Sequence, residues 1–108
     1  RDWLWVEDHG RAVLAVLAGG LSGEIYNIAA HNERTNLQML RLLLPMLGAD
    51  ESVIEHIPDR PGHDMRYGIT NAKVAALGWC VTAPLVDRLR ETVAWYKANE
   101  PWWREKIT

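Results

Sequence analysis

Apolar residues recur at the spacing of a helix in the first quarter of the chain. Four of them predict one side of the first helix: Ala12, Val13, Val16 and Leu17. Glu7 and Asp8 place negative charge where the start of a helix favours it. The pair Gly19-Gly20 then supplies a stop signal, so the sequence predicts a helix between these acidic residues and the glycines.

A second helix is predicted from a start signal, a leucine repeat and a stop signal. Thr35 is followed three residues later by Gln38, which is the spacing of a capping box. Pro45 removes a hydrogen bond back to Arg41, so we expect a kink or an early end there. Gly48 marks the stop. The expected apolar side consists of four leucines: Leu37, Leu40, Leu44 and Leu47.

Two more helices are predicted in the second half of the chain. Thr70 or Asn71 caps a short helix that reaches Leu77, with Gly78 beyond it. Pro84 suits the first turn of the last helix. The expected apolar side of that last helix consists of Leu85, Leu89, Val93 and Tyr96. Its expected solvated side consists of Arg88, Arg90 and Glu91.

Three short segments are rich in residues that favour extended backbone, and each predicts a strand. They are Asp2–Val6, Glu24–Ile28 and Val53–Ile57. Helices and strands then alternate along the chain, with about four helices and a few short strands. The predicted fold is therefore α/β, in the form of a small α+β-like lobe, and residues 1–108 are expected to form a single domain.

Composition and charge exclude several classes of protein. The 108 residues carry a net charge of -2, which argues against a general nucleic-acid or acidic-membrane binder. No apolar run approaches the ~20 residues of a membrane span. Cys80 is the single cysteine, and we expect its thiol to be buried or half-buried rather than nucleophilic. The four histidines lack a paired metal spacing, so no metal site is predicted.

The segment 59–67, with the sequence DRPGHDMRY, concentrates the candidate binding chemistry. Pro61 and Gly62 predict a tight, stiff turn. Arg60, His63 and Arg66 then project from this turn, and arginine grips a phosphate through two parallel hydrogen bonds. The segment is therefore a candidate diphosphate clamp. An ordinary polar turn is the alternative that these nine residues leave open.

Four blocks in order resemble the dTDP-glucose 4,6-dehydratases, which are extended short-chain dehydrogenase/reductases acting on nucleotide sugars. The blocks are RDWLWVEDHGRA at the start, YNIAAHNERTN at 26–36, DRPGH at 59–63 and TVAWYKANEPWW at 92–103. They cover the chain from end to end and correspond to the carboxy-terminal third of such an enzyme. The resemblance implies the substrate-binding lobe of a cytoplasmic enzyme of deoxysugar biosynthesis.

The resemblance also implies which residues bind the diphosphate of the nucleotide. They are Arg1, Asn36, Asp59, Arg60, Pro61, Gly62 and His63. Asn36 has an alternative interpretation, since it could help to cap the second helix beside Thr35. Asp8 and Arg11 belong to a matching block, but we interpret them as structural: Asp8 serves the helix start and Arg11 pairs with a nearby carboxylate.

The motifs for cofactor binding and catalysis in this family do not occur in this sequence. A glycine-rich turn for NAD needs three glycines. Gly20 and Gly23 are the nearest match, but Tyr26 stands where the third glycine should be. No tyrosine is followed four residues later by lysine, so the acid/base pair is missing. We therefore expect no catalytic residue and no cofactor in this chain, although the full-length family uses NAD. The Rossmann half is expected to be absent, and the chain to be a fragment or a truncated product that is inactive alone.

A stand-alone binding or assembly module derived from the same family is the alternative function. Its partners would be a dTDP-sugar or related nucleotide diphosphate and further copies of the chain, with no nucleic acid or membrane. Aromatic residues late in the chain fit a core or a subunit contact better than a stacking platform for a ligand. They are Trp95, Tyr96, Trp102 and Trp103.

Overall fold

The structure, a computed structural model, describes residues 1 to 107. In this part of the chain, five α-helices and one short 3₁₀ helix follow one another and no β-strand forms. The α-helices are α1 (Val6–Gly19), α2 (Asn36–Leu47), α3 (Ala72–Ala76), α4 (Leu85–Ala98) and α5 (Glu100–Arg104), and the 3₁₀ helix is Glu51–Val53.

The prediction of three strands is wrong for the described residues. Val6 begins α1 and Val53 ends the 3₁₀ helix, while the rest of the predicted segments lie outside regular structure. Asp2 and Glu33 form one isolated antiparallel bridge. Strand propensity reports how well a side chain fits a pleated sheet, and a strand needs a neighbour for its ladder of hydrogen bonds. Among residues 1–107 this single bridge does not extend into a ladder, so the fold is helical rather than α/β.

The predicted first helix is confirmed, and it supplies one wall of the core. Ala12 is fully buried against Val74 of α3 and the ring of Trp79. Partly buried apolar residues pack around these three: Leu4, Ala15, Val16, Ile28 and Val81. Val13 and Leu17, which were expected on the same apolar side, are 41% and 77% exposed. The apolar pattern of α1 therefore continues from the core onto the surface.

The capping box of α2 is confirmed in both directions. The Thr35 hydroxyl accepts from Gln38 N–H at 3.2 Å, and Thr35 N–H donates to Gln38 Oε1 at 2.9 Å. The helix ends two residues after Pro45, and Gly48 closes it with a φ of 70° that favours glycine. Met39 and Leu44 are the buried residues of α2, whereas Leu47 is 54% exposed.

The start of α3 uses both residues that the sequence proposed. Asn71 occupies the cap position, but the Thr70 hydroxyl accepts the hydrogen bond from Ala72 N–H at 3.3 Å. The Asn71 side chain instead donates to the Ala29 carbonyl at 2.8 Å. It therefore connects α3 to the segment before α2.

The fourth helix begins after Pro84, as predicted, and packs on α2 through buried Leu89. Two residues of its expected faces lie differently. Tyr96 is 49% exposed, and Arg88 is not solvated but stacks over the Trp5 ring at 4.0 Å. Helix α5 was not predicted. It is a short helix with Pro101 in its first turn, and it follows α4 directly, so the sequence pattern gave no separate signal.

A buried carboxylate ties the start of α1 to the segment before α4. Asp8 accepts from the Thr82 hydroxyl at 2.7 Å and from Arg11 at 3.1 Å, and its carbonyl accepts from Trp79 Nε1 at 2.9 Å. Arg11 thus pairs with a nearby carboxylate as expected, whereas the Asp8 side chain does not cap α1 but bonds to Thr82 and Arg11. Cys80 lies near this cluster in sequence, but it is exposed, so the expectation of a buried or half-buried thiol is wrong.

Candidate functional site

A groove of about 500 Å³ separates the first turn of α2 from the loop 59–66. Its walls come from three segments that are far apart in sequence. The lining residues are Arg1, Glu33, Arg34, Thr35, Asn36, Leu37, Gln38, Asp59, His63, Asp64, Met65 and Arg66. We call this the polar groove.

The turn predicted within 59–67 forms as expected. Gly62 has a φ of 72°, a backbone conformation that glycine adopts without strain. His63 N–H donates to the Arg60 carbonyl at 3.2 Å across the turn. The Asp59 carboxylate accepts from Arg60 N–H at 3.0 Å. These bonds direct the side chains of Asp59 and His63 toward each other.

Asp59, His63 and Arg1 form a chain of hydrogen bonds along one wall of the polar groove. His63 Nδ1 contacts Asp59 Oδ1, and His63 Nε2 contacts Arg1 Nη2. The hydrogen bond from His63 lowers the pKa of the Asp59 carboxyl below its ordinary value. The Asp59 carboxylate is therefore kept in its charged form.

Several groups besides His63 hold Arg1 in place. Arg1 Nη1 donates to the Asp64 carbonyl at 3.0 Å, and the guanidinium lies 4.4 Å from the centre of the Tyr67 ring. The Arg1 carbonyl accepts from Arg34 N–H at 3.0 Å, which joins the first residue to the segment before α2. A hydrogen bond with Asp64 raises the pKa of the Tyr67 phenol above its ordinary value.

A bidentate ion pair and a guanidinium with fewer partners also line the polar groove. Arg66 donates to both Glu33 oxygens at 2.7 and 2.8 Å, and this hydrogen bonding lowers the pKa of Glu33. Arg34 donates one hydrogen bond, at 2.8 Å, to the Glu33 carbonyl. A guanidinium has five N–H donors, so Arg34 keeps donor capacity for a ligand.

The beginning of α2 forms one side of the polar groove. Asn36 and Leu37 are the first two residues of that helix, and backbone N–H groups at such positions lack partners within the helix. The start of a helix therefore favours negative charge. Thr35, not Asn36, caps the helix through its side chain. The capping interpretation of Asn36 is thus unnecessary, and its amide is available to the groove.

The side-chain charges that line the polar groove balance when His63 is neutral. Three arginines face three carboxylates among the lining residues: Arg1, Arg34 and Arg66 against Glu33, Asp59 and Asp64. The site therefore offers directed donors and a helix start rather than a strong positive field. An anion would be bound through local geometry more than through long-range attraction.

The structure brings together four of the seven residues proposed from sequence. Arg1, Asn36, Asp59 and His63 line the polar groove. Arg60, Pro61 and Gly62 belong to the same turn but do not line it, and the Arg60 side chain is exposed. Arg34 lines the groove and was missed by sequence reasoning. Its signal was present, because it is a cation placed directly before the cap of α2.

A second groove, of about 1,020 Å³, lies on the other side of Asn36 between α2 and α4. We call it the apolar groove. Met39 and Leu89 are buried in its floor, and three aromatic residues of its wall remain 46% to 56% exposed: Trp95, Tyr96 and Trp102. Trp95 meets Tyr96 and Trp102 edge-on at 5.2 and 5.3 Å. These rings therefore pack against one another, but about half of each side chain remains exposed to solvent.

Two kinds of centre are not found in the described part of the chain. Residues 1–107 contain no group of three or more His, Cys, Asp or Glu side chains arranged to hold a metal ion. No helix in the same range is long and apolar enough to cross a bilayer.

Comparison with known proteins gives a consistent relationship. No family model matches the chain. It is 44% identical over 104 residues to the dTDP-glucose 4,6-dehydratase of Streptomyces niveus, covering 95% of this chain and 31% of that protein. It is 40% identical over 116 residues to the enzyme of the same name from Escherichia coli, covering 96% of this chain and 32% of that protein.

Solved structures show the same relationship. The crystal structure of DesIV, a dTDP-glucose 4,6-dehydratase from Streptomyces venezuelae with NAD and TYD bound, matches with a TM-score of 0.90 at 42% identity. That match covers 95% of this chain and 32% of DesIV. A Bacillus anthracis enzyme of the same name, in complex with NAD, matches with a TM-score of 0.89 at 40% identity over 97% of this chain and 33% of its own.

The resemblance stated from the sequence blocks is therefore confirmed. The chain is related in sequence and fold to the carboxy-terminal portion of dTDP-glucose 4,6-dehydratases. It spans about a third of the length of the relatives that it matches.

Proposed function

We propose, from this relationship, that the chain is the nucleotide-sugar-binding portion of a dTDP-glucose 4,6-dehydratase-like enzyme of deoxysugar biosynthesis. The polar groove would receive the diphosphate of the dTDP-sugar. Arg1, Arg34 and Asn36 would donate to the phosphate oxygens, and the start of α2 would add N–H groups. A cytoplasmic location belongs to the same proposal.

One observation carries this proposal. Residues from three separated blocks converge on one groove: Arg1, Asn36 and His63 lie far apart in sequence and line the same space. The groove also contains the start of α2, which is a favourable place for an anion. The ordinary-turn alternative would not require this convergence. Arg60, Pro61 and Gly62 stay in the proposal as the turn that shapes the wall, and a direct contact from Arg60 would require its exposed side chain to take another position.

Binding of dTDP-glucose to the purified chain tests the proposal. Because the lining charges balance, we expect weak but saturable binding, which ligand-observed NMR detects. Asn36→Ala should weaken it, since the amide lies beside the start of α2, whereas Asn99→Ala at the far end of α4 should not. Absence of binding at millimolar dTDP-glucose, or equal binding by both variants, would contradict the proposal.

The chain alone is proposed to be inactive, because the sequence lacks the glycine-rich turn and the tyrosine–lysine pair. Calorimetric titration with NAD should give no tight binding, and incubation with dTDP-glucose and NAD should give no product. Submicromolar affinity for NAD would overturn this part of the proposal without touching the diphosphate site.

A module for assembly is a second candidate, and the apolar groove favours it. Exposed apolar patches larger than a few hundred Å² commonly mark interaction surfaces. We propose that the chain self-associates, with the aromatic wall of this groove covered in the assembly. Light scattering at high micromolar concentration should give a mass above that of one chain, and a monomer under these conditions would exclude self-association.

A further inference from the structure

The contacts of His63 determine which of its ring nitrogens carries the proton. Arg1 Nη2 lies at His63 Nε2, and a guanidinium can donate a hydrogen bond but cannot accept one. His63 Nε2 must therefore be the unprotonated nitrogen. The proton then lies on Nδ1, which faces the carboxylate of Asp59. The chain of donors runs from Arg1 to His63 and from His63 to Asp59.

We infer that His63 is a positioning residue that controls Arg1 through the lone pair of Nε2, and that a proton at this nitrogen releases Arg1 into the polar groove. This inference rests on the proposed function and adds regulation to the same site. Binding of a proton makes both ring nitrogens donors. Arg1 and His63 would then present two donors and two positive charges to each other, so their contact is lost.

The surroundings of His63 let this change act on an anion in the groove. Asp59 holds Nδ1–H in both protonation states, because its own pKa is lowered and it stays charged. Arg1 keeps its bond to the Asp64 carbonyl and its place over the Tyr67 ring, so the released Nη2 remains beside the groove. The other charged groups that line this space are Arg34, the Asp64 carboxylate and the Arg66–Glu33 pair.

The expected consequence is a stronger anion site at lower pH. The side-chain charges that line the groove balance when His63 is neutral, and one proton on His63 adds a positive charge. The same proton frees a guanidinium donor. Histidine ordinarily changes its charge between about pH 5 and 8, so this is the range over which the affinity is to be measured.

Nitrogen chemical shifts of the uniformly labelled chain test the inference without any ligand. Long-range ¹H–¹⁵N spectra near about pH 8, where histidines are ordinarily neutral, should show His63 protonated at Nδ1. Arg1→Ala should weaken this preference, because Nε2 then loses the donor that requires it to be unprotonated. A wild-type His63 protonated at Nε2 would overturn the inference. This readout stands even if dTDP-glucose does not bind, which would overturn the proposed function alone.

The pH dependence of the affinity for dTDP-glucose is the second test of the inference. Each phosphate of this ligand carries one ester and one anhydride linkage and keeps only a strongly acidic OH, so the charge of the ligand stays fixed over the titration. Wild type should bind about tenfold more tightly near pH 5.5 than near pH 8, in line with one added charge-assisted contact. His63→Gln keeps an acceptor for Arg1 but cannot titrate, and its affinity should not change with pH. His56→Gln, at an exposed histidine outside the groove, should behave as wild type. If His63→Gln kept the pH dependence of wild type, the inference would be contradicted.

Discussion

Two grooves meet at Asn36, and their walls are stabilised in opposite ways. In the polar groove, nearly every charged side chain already has a partner within the chain: Arg66 with Glu33, His63 with Asp59, and Arg1 with His63. In the apolar groove, buried Met39 and Leu89 form a floor, while the aromatic wall above them stays about half exposed. In the polar groove the charged side chains are mostly paired, whereas in the apolar groove aromatic surface remains exposed to water.

This difference indicates how each groove would respond to a binding partner. A ligand in the polar groove exchanges internal hydrogen bonds for new ones, so its net gain is modest and depends on geometry. A partner on the apolar groove removes aromatic surface from water, and that gain grows with the area covered. Substitutions should therefore change specificity in the first groove, and stability or association in the second.

The largest effect is expected at the floor of the apolar groove. Leu89→Ala deletes a nearly buried side chain at the contact between α2 and α4, and the cavity left behind should lower the free energy of unfolding by about 2–5 kcal/mol. Urea denaturation followed by circular dichroism measures it. Val86→Ala, at a half-buried position on the same helix, is the matched control and should cost less. Equal losses would mean that Leu89 is not part of a packed floor.

The next-largest effect tests whether Arg34 or Arg60 binds the diphosphate. Arg34→Ala should weaken dTDP-glucose binding by about ten- to a hundredfold, because one charge-assisted contact is lost. Arg34→Lys should recover only part of the affinity, since a point charge cannot make a bidentate contact. Both affinities can be measured by ligand-observed NMR near pH 7.

Arg60→Ala is the comparison for that experiment. The sequence block favours Arg60 as a ligand residue, but its side chain is exposed and does not line the polar groove. We therefore expect a smaller loss for Arg60→Ala than for Arg34→Ala. The reverse order would mean that the turn moves its arginine into the groove when the ligand binds.

A moderate effect is expected at the aromatic wall. Trp102→Glu places a charge on the uncovered side of the apolar groove and should raise the dissociation constant for self-association by about tenfold or more. Trp102 is 56% exposed, so folding of the monomer should be little affected. Sedimentation equilibrium with unchanged circular dichroism would show this. If the mass distribution matched that of wild type, the apolar groove would not be the contact.

The helices could be predicted because their signals are local. Thr35 and Gln38 satisfy each other within one turn, and Gly48 ends α2 through its own backbone preference. The predicted strands failed because a strand depends on a neighbour that sequence alone does not supply. Glu24–Ile28 has the residue types of a strand, yet Glu24 pairs with Lys73 and Ile25 is 78% exposed.

Two parts of the candidate site could be predicted: its local turn, and the residues that the resemblance to the family implies. Gly62 and the segment around it predicted the turn. The family blocks implied that Arg1 and His63 bind the same diphosphate. The contact between Arg1 and His63 spans 62 positions in sequence, so no spacing rule could reveal it. The same holds for Arg66, whose bidentate bond to Glu33 uses donors that the sequence offered to a phosphate.

The smallest effect concerns the ion pair that completes the polar groove. Hydrogen bonding to Arg66 lowers the pKa of Glu33 in the folded chain, so its stabilising contribution is present above the ordinary glutamate pKa of about 4.3. That contribution is lost as the pH falls through the lowered value. Glu33→Gln removes it, so between about pH 6 and pH 3 the variant should lose less stability than wild type. Urea midpoints at both pH values measure the difference, with Glu55→Gln, at an exposed position outside the groove, as the control. Identical losses in wild type and Glu33→Gln would show that solvent screens this exposed pair completely. The pair would then contribute nothing to the stability of the groove wall.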